Sequence, residues 1–167
     1  MRELVFSVVT ISSMIGLLGA ANGQQPAAPP TERKEAAPVD PQSQLTEAVG
    51  LLSGLYLYQT YLNIGLLADG KAERTYDEKA ARSVLESILG PLDAVDKQLD
   101  KVGKVSRAQG DRDGCERLRG IVTLLRRQGG DLKAFWDSGR QEDGAKYEAS
   151  RQESWKQISA LLGLDKK

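Results

Sequence analysis

The sequence predicts an all-α protein, an up-down-up-down antiparallel four-helix bundle. From Pro41 onward, apolar residues recur every three or four positions, which is the period of a helix that buries one face. No stretch of this region alternates apolar and polar residues as a half-buried strand does. One further proline, Pro91, interrupts it, and a chain of 167 residues is expected to form one domain.

Turn and capping residues predict four helices, over about residues 41–69, 75–105, 112–138 and 141–162. Asp40 and Pro41 suit the cap and the first position of the first helix. Thr75 and Glu78 have the spacing of a capping box at the start of the second. Pro91 lies inside the second helix, and because proline removes a backbone hydrogen bond, we expect a kink there with helix on both sides.

The predicted core follows heptad-like steps along each helix. In chain order these positions are Leu45, Ala48, Leu52, Leu55, Leu62 and Leu66; Ala81, Leu85, Ile88, Leu92, Val95, Leu99 and Val102; Cys115, Leu118, Val122, Leu125, Leu132 and Trp136; and Tyr147, Trp155, Ile158 and Leu162. Antiparallel neighbours can pair these positions with a nearly constant register. The steps pass through Gly129 and Gly130, which we expect to be a closely packed point of the third helix.

Charged residues repeat every seven positions on the second and third helices. The basic series is Arg112, Arg119, Arg126, Lys133 and Arg140, and the acidic series is Glu86, Asp93 and Asp100. The register predicts that Arg126 faces Glu86. It likewise predicts that Arg119 faces Asp93. We interpret these series as salt bridges along a hairpin rather than as an anion or nucleic-acid surface, because matched pairs set register even where they contribute little stability.

Residues 1–23 have the order of a secretory signal peptide. Arg2 precedes an apolar run over residues 4–18, and small residues follow. Residues 24–40 contain four of the six prolines and almost no large apolar side chain, which is typical of a disordered linker. The sequence therefore predicts an exported protein, periplasmic or extracellular, whose helical bundle covers residues 41–167.

The composition argues against several classes of function. The 23 basic and 23 acidic residues cancel, so no net basic charge points to nucleic acid. The absence of histidine removes Ser-His and Cys-His dyads and histidine metal ligands. The single cysteine, Cys115, allows neither an intramolecular disulfide nor a Cys-rich zinc site. We therefore expect a protein that is not an enzyme and has no cofactor and no metal site.

The first helix carries an uncharged stretch over residues 48–68. Gly50 and Gly54 form a G-x-x-x-G motif, so a membrane span is one interpretation of this stretch. Polar side chains at mid-span, including Gln59 and Asn63, favour a helix buried in the bundle instead. Gln59 falls on a predicted core step, where a buried amide fixes register or faces a ligand pocket between helices.

Aromatic and amide side chains supply the candidate contact residues. The candidates for ligand or partner contact are Tyr56, Tyr58, Gln59, Tyr61, Asn63, Trp136 and Trp155. We expect Trp136 and Trp155 to lie with Phe135 where the third and fourth helices meet their turn. Cys115 is interpreted as a buried free thiol, with a reactive thiol at a helix N-terminus or an intermolecular disulfide as alternatives.

These observations predict an exported, non-enzymatic helical bundle that acts as a protein-interaction or structural module. Its partner is predicted to be an unknown protein or a second copy of itself. Two alternatives stay open. One is a binding module for an apolar small molecule held between the helices near Gln59. The other is a membrane-associated protein that uses the uncharged helix over residues 48–68.

Overall fold

The computed structural model describes residues 41–164, and between these bounds the chain is all-helical, as predicted. The helices are α1 (Pro41–Ala72), α2 (Glu78–Leu89), α3 (Leu92–Val105), α4 (Gln109–Ser138) and α5 (Gln141–Leu162). The predicted signal peptide and linker, residues 1–40, lie outside the described residues. So does Asp40, the predicted cap of the first helix.

Local signals explain where the helices begin and end. The side chain of Asp77 accepts a hydrogen bond from the Ala80 backbone N–H at 2.7 Å, so α2 begins three residues after the predicted Thr75. Gly139 ends α4 with φ 63° and Gly163 ends α5 with φ 67°. Glycine adopts this left-handed conformation without the steric penalty of a side chain, which explains why both helices stop where they do.

The predicted second helix is two helices, α2 and α3, separated at Gly90 and Pro91. Both residues keep right-handed helical backbone angles, with φ −52° and ψ −48° at Gly90 and φ −64° and ψ −18° at Pro91. Helix therefore lies on both sides of the proline, as predicted. The interruption falls at this point because Pro91 has no backbone N–H to continue the hydrogen-bond ladder, so the predicted helix over 75–105 is divided into α2 and α3.

The helices pack against one another with α4 in contact with each of the other four. The shared core contains aliphatic residues, with at least one from each helix: Leu57, Ile64, Leu67, Ala81, Leu85, Leu92, Leu99, Leu118, Ile121, Val122, Leu125, Leu132 and Ile158. On α2, α3 and α4, the predicted core positions are buried or partly buried. The bundle-like packing and the core faces of these three helices are therefore confirmed.

On α1 the predicted core face was wrong. Leu52 is 66 % exposed and Leu66 is 67 % exposed, and Leu45, Ala48 and Leu55 are exposed as well. The buried face of α1 consists instead of Gly54, Leu57, Thr60, Ile64 and Leu67. A Cβ at Gly54 would lie 3.4 Å from Leu162 Cδ2, so small residues on this face let α1 approach α5 closely.

On α5 the prediction of Trp155 as a core residue was also wrong. Trp155 is exposed, while Ser150, Ser154 and Ser159 are buried beside Ile158. Each of the three serine hydroxyls donates a hydrogen bond to a carbonyl of its own helix, at 2.8 to 3.1 Å. Their hydrogen-bonding needs are met within α5, so small polar residues can line a close contact without an unsatisfied group.

Ion pairs join α4 to α2 and α3. The pairs between these helices include Arg82–Asp137, Glu86–Lys133, Asp93–Arg126, Asp96–Arg119 and Asp100–Arg119. The predicted facing of a basic and an acidic series is confirmed, but the partners differ by one heptad. Arg126 contacts Asp93 rather than Glu86. Arg119 contacts Asp96 at 2.9 Å and Asp100 at 3.3 Å.

Candidate functional site

An open groove of about 440 Å³ lies between α1 and α5. We call it the aromatic groove, and its lining residues are Tyr58, Tyr61, Leu62, Arg151, Gln152 and Trp155. The Trp155 ring stacks on Tyr61, with 5.7 Å between ring centroids and 29° between planes. Tyr58 packs on the same indole at 6.3 Å and 42°. Three of the predicted contact residues therefore meet at one place.

A fixed guanidinium group forms one side of the aromatic groove. Arg151 donates from Nε and Nη2 to the two carboxylate oxygens of Glu148, at 2.8 and 2.9 Å. This bidentate pair raises the pKa of Arg151 and lowers the pKa of Glu148. Gln152 Nε2 donates to the same Glu148 carboxylate at 3.0 Å. The groove therefore presents aromatic faces beside a permanently charged, oriented donor.

A second groove, of about 320 Å³, lies between α1 and α2. Its lining residues are Tyr56, Gln59, Thr60, Asn63, Ser83, Val84, Ser87 and Ile88. Gln59 is exposed there, and its Nε2 donates to Asn63 Oδ1 at 2.9 Å. The prediction of Gln59 as a core amide was wrong, because the heptad steps of α1 lie on its outer side. Gln59 does line a space between helices, but that space is an open groove on the surface.

Trp136 lies apart from the aromatic groove. It is partly buried near the α4–α5 turn, and Lys71 Nζ lies 5.4 Å from its ring centroid in a cation–π contact. Phe135 packs against Gly144, where a Cβ would lie 3.1 Å from the Phe135 ring. Trp155 lies about 20 Å along the axis of α5 from Gln141, the first residue of that helix. The expectation that Trp136 and Trp155 share one surface at that turn was therefore wrong.

Cys115 is a buried free thiol near the start of α4. Burial raises its pKa, and the charges of Asp111 and Glu116 act in the same direction. Arg119 opposes them less strongly. The helix N-terminus and nearby arginines led to the alternative of a lowered pKa and a reactive thiol. The pKa of Cys115 is raised instead because its thiol is buried between α3 and α4. A Cβ at Gly103 of α3 would lie only 3.3 Å from the Cβ of Cys115.

Sequence reasoning missed a buried amide at Gln128. This side chain is fully buried on α4, and neither its Nε2 nor its Oε1 makes a hydrogen bond of ordinary geometry. Its nearest polar influence is on the Tyr147 hydroxyl, whose pKa burial raises and Gln128 lowers. Gln128 precedes Gly129, which occupies the heptad step. Gly129 lets α2 approach α4 closely, through Leu89, so the adjacent Gln128 is enclosed as well. In the sequence, only the Gly129–Gly130 pair indicated this close packing.

It also missed a charge cluster around Asp143 in the first turn of α5. The buried Asp143 carboxylate accepts hydrogen bonds from Lys146 Nζ at 2.9 Å, Ser138 Oγ at 2.7 Å and Arg140 Nη2 at 2.8 Å. These donors, with Lys146 the strongest, hold the pKa of Asp143 well below its usual range. The sequence indicated this cluster only by its spacing. Asp143 is the third residue of the helix, and a serine and two basic residues are close to it in sequence.

Comparison with known proteins found no match among family models, curated proteins or solved structures. Among the described helices, none is long and apolar enough to cross a membrane. Within residues 41–164, no three His, Cys, Asp or Glu side chains are grouped closely enough to hold a metal ion. The aromatic groove is taken as the candidate site because Tyr58, Tyr61 and Trp155 meet there.

Proposed function

We propose that this protein is an exported, non-enzymatic helical bundle that binds a protein partner through the aromatic groove. The observation that carries the proposal is the stacked Trp155 and Tyr61 pair beside the oriented Arg151. Tryptophan, tyrosine and arginine are the residues that dominate binding energy in protein interfaces. Their enrichment in one open groove supports a contact with a protein surface rather than simple packing.

The proposed topology is up-down-up-down and antiparallel, with α2 and α3 forming one kinked arm. The ion pairs support this topology. Residues further along α4 pair with residues earlier in the α2–α3 arm, as in antiparallel helices. Lys133 pairs with Glu86, and Arg119 pairs with Asp100. Two residues connect α4 to α5, and such short connections suit antiparallel neighbours.

Export is proposed from the sequence order of residues 1–23, which is that of a signal peptide. Those residues lie outside the described part of the chain. An exporting host that releases a chain beginning near Gln24 would support this proposal. Retention of the apolar N-terminus on the purified protein, read by N-terminal sequencing, would contradict it.

The binding proposal is tested by site-specific photo-cross-linking in the cells that make the protein. Benzoylphenylalanine replaces Trp155 in one variant and the exposed Lys97 of α3 in the control. We expect a discrete cross-linked protein from position 155 alone, and its loss when Tyr61→Ala is added. The same products from both positions, or none from position 155, would show that the groove is not a partner site.

A further inference from the structure

The helix α1 has a second apolar face that the bundle does not cover. We call it the heptad face, and its residues are Leu45, Ala48, Leu52, Leu55, Gln59, Leu62 and Leu66. Six of them are exposed, and Leu62 is partly buried where this face borders the aromatic groove. The bundle contacts the opposite side of α1, through residues such as Leu57 and Ile64. A helix that is apolar on all sides is normally enclosed on all sides. The heptad face therefore calls for an occupant that residues 41–164 do not provide.

The spacing of the heptad face identifies the occupant as another helix. Leu45, Leu52, Gln59 and Leu66 are each seven residues apart, and Ala48, Leu55 and Leu62 form the second seven-residue series. These two series are the a and d positions of a coiled coil, at which one helix packs side chains into the gaps of another. A flat or irregular partner surface would not need this repeat.

The exposed area is sufficient for a specific interface. The large exposed side chains on and beside the heptad face are Leu45 at 65 %, Leu51 at 59 %, Leu52 at 66 %, Leu55 at 48 % and Leu66 at 67 %. Together they present on the order of 500 Å² of apolar surface. A standard interface buries about 800 Å² per partner, of which about 65 % is apolar in homodimers. The leucines alone can form the apolar centre of such an interface.

We propose that the heptad face binds the heptad face of a second copy of this chain. In most coiled coils, charges at the flanking e and g positions select the partner and its direction. Here the flanking residues are all uncharged: Val49, Leu51, Tyr56, Tyr58, Asn63 and Gly65. No like-charge repulsion opposes self-pairing, and no charge pattern selects a different chain.

Gln59 adds an argument for a symmetric pair. It is the polar a position at the centre of the heptad face, and its amide carries both donors and an acceptor. Its Nε2 already donates to Asn63 Oδ1 within the chain. Across a two-fold axis the second N–H and the Oε1 of each Gln59 can pair with those of the other copy, whereas an apolar partner would leave these two groups without a hydrogen bond. A single polar a residue fixes register and oligomeric state in this way.

A lipid surface fits the heptad face less well. Helices that lie on membranes carry lysine and arginine along the border of their apolar face. The sequence of α1 contains one basic residue, Lys71, and that side chain lies over the Trp136 ring. Gln59 and Asn63 would also enter the lipid. This inference goes beyond the proposed function, because it does not depend on a partner at the aromatic groove.

Sedimentation equilibrium of the protein, purified without detergent from a host that exports it, tests the proposal. We expect a concentration-dependent monomer–dimer equilibrium that Leu66→Glu weakens at least tenfold. The control is Val105→Glu, because Val105 of α3 is 68 % exposed, and it should leave the equilibrium unchanged. Circular dichroism of each variant confirms that both remain folded.

Other results overturn the proposal. A wild-type protein that stays monomeric at millimolar concentration has no self-complementary face. Equal weakening by Leu66→Glu and Val105→Glu would place the dimer contact elsewhere. A monomer that binds vesicles of phosphatidylethanolamine and phosphatidylglycerol, and loses that binding with Leu66→Glu, would assign the heptad face to a lipid surface. Failure of photo-cross-linking at position 155 would not affect any of these outcomes.

Discussion

Leu89 packs directly on the backbone of Gly129, so closely that a Cβ at Gly129 would lie 2.5 Å from Leu89 Cδ1. This contact joins the last turn of α2 to the middle of α4, beside the break at Pro91. The neighbouring Gly130 faces open space, with nothing within 4 Å of the same hypothetical atom. Two adjacent glycines of one helix therefore have different reasons to be there.

This difference gives a matched pair of substitutions. Gly130→Ala is expected to stabilise the protein by about 0.5–1 kcal/mol, since alanine favours helix and nothing obstructs it. Gly129→Ala is expected to destabilise it by about 1–2 kcal/mol, because overpacking against Leu89 outweighs that gain. Urea unfolding measures both. In a Leu89→Ala background Gly129→Ala should become neutral or stabilising, and a persistent loss there would rule out the Leu89 contact as the cause.

The register of α4 against α2 and α3 can be tested by charge reversal. Arg126→Glu places a carboxylate beside Asp93 and is expected to lower stability by up to about 1 kcal/mol. Adding Asp93→Arg should restore the urea midpoint, since the pair is then rebuilt with its charges exchanged. Adding Glu86→Arg to the Arg126→Glu variant should leave its urea midpoint lowered. Rescue by Glu86→Arg alone would favour the register predicted from the sequence over the one observed.

Asp143 predicts a loss of stability in acid. Its pKa is lowered in the folded protein, so its stabilising effect is present above the unfolded value of about 3.9 and is lost as the pH falls toward the folded value. The melting temperature of Asp143→Asn should therefore be below that of wild type at pH 7, and the gap should narrow toward pH 2. Glu142→Gln, at an exposed neighbour in the same turn, controls for the loss of one charge. A difference in melting temperature that stays the same from pH 7 to pH 2 would mean that protonation of Asp143 does not cause the loss of stability.

Gln128 predicts an unusual gain of stability. Its buried amide makes no hydrogen bond of ordinary geometry, and such a group typically costs about 1–3 kcal/mol. Gln128→Met keeps the length of the side chain and removes both polar atoms, so we expect stabilisation by about 1–2 kcal/mol in thermal and urea unfolding. The same substitution at the exposed Gln98 should have little effect. Destabilisation at position 128 alone would mean that the amide is satisfied.

The helical content and the core of α2, α3 and α4 could be predicted because polar residues surround a single apolar stripe on each. On α1 the same method selected the outer face. That helix offers two apolar stripes, and the heptad repeat that includes Leu52 and Leu66 is the more regular one. The buried stripe contains Gly54 and Thr60, whose small size permits close packing but gives no signal of hydrophobicity.

The other errors have related physical causes. Charges that repeat every seven residues on two helices match again after a shift of one heptad, so Arg126 could not be assigned to Asp93 or Glu86 from spacing alone. Trp155 was placed in the core because it falls on the heptad-like steps of its helix with Tyr147 and Ile158, whereas serines such as Ser154 line that contact. A hydrophobic pattern identifies the apolar side chains that can be buried. The closest contacts between helices in this protein are made at small residues, which such a pattern does not mark.

The helix α1 buries Leu57 in the bundle and leaves Leu66 exposed. Urea unfolding of Leu57→Ala and Leu66→Ala, at a protein concentration low enough to keep the chain monomeric, tests this arrangement most directly. Leu57 is completely buried, so its truncation should cost about 2–5 kcal/mol. Leu66→Ala should change the free energy of unfolding by no more than about 0.5 kcal/mol. A large loss for Leu66→Ala with little change for Leu57→Ala would mean that the bundle buries the opposite face of α1.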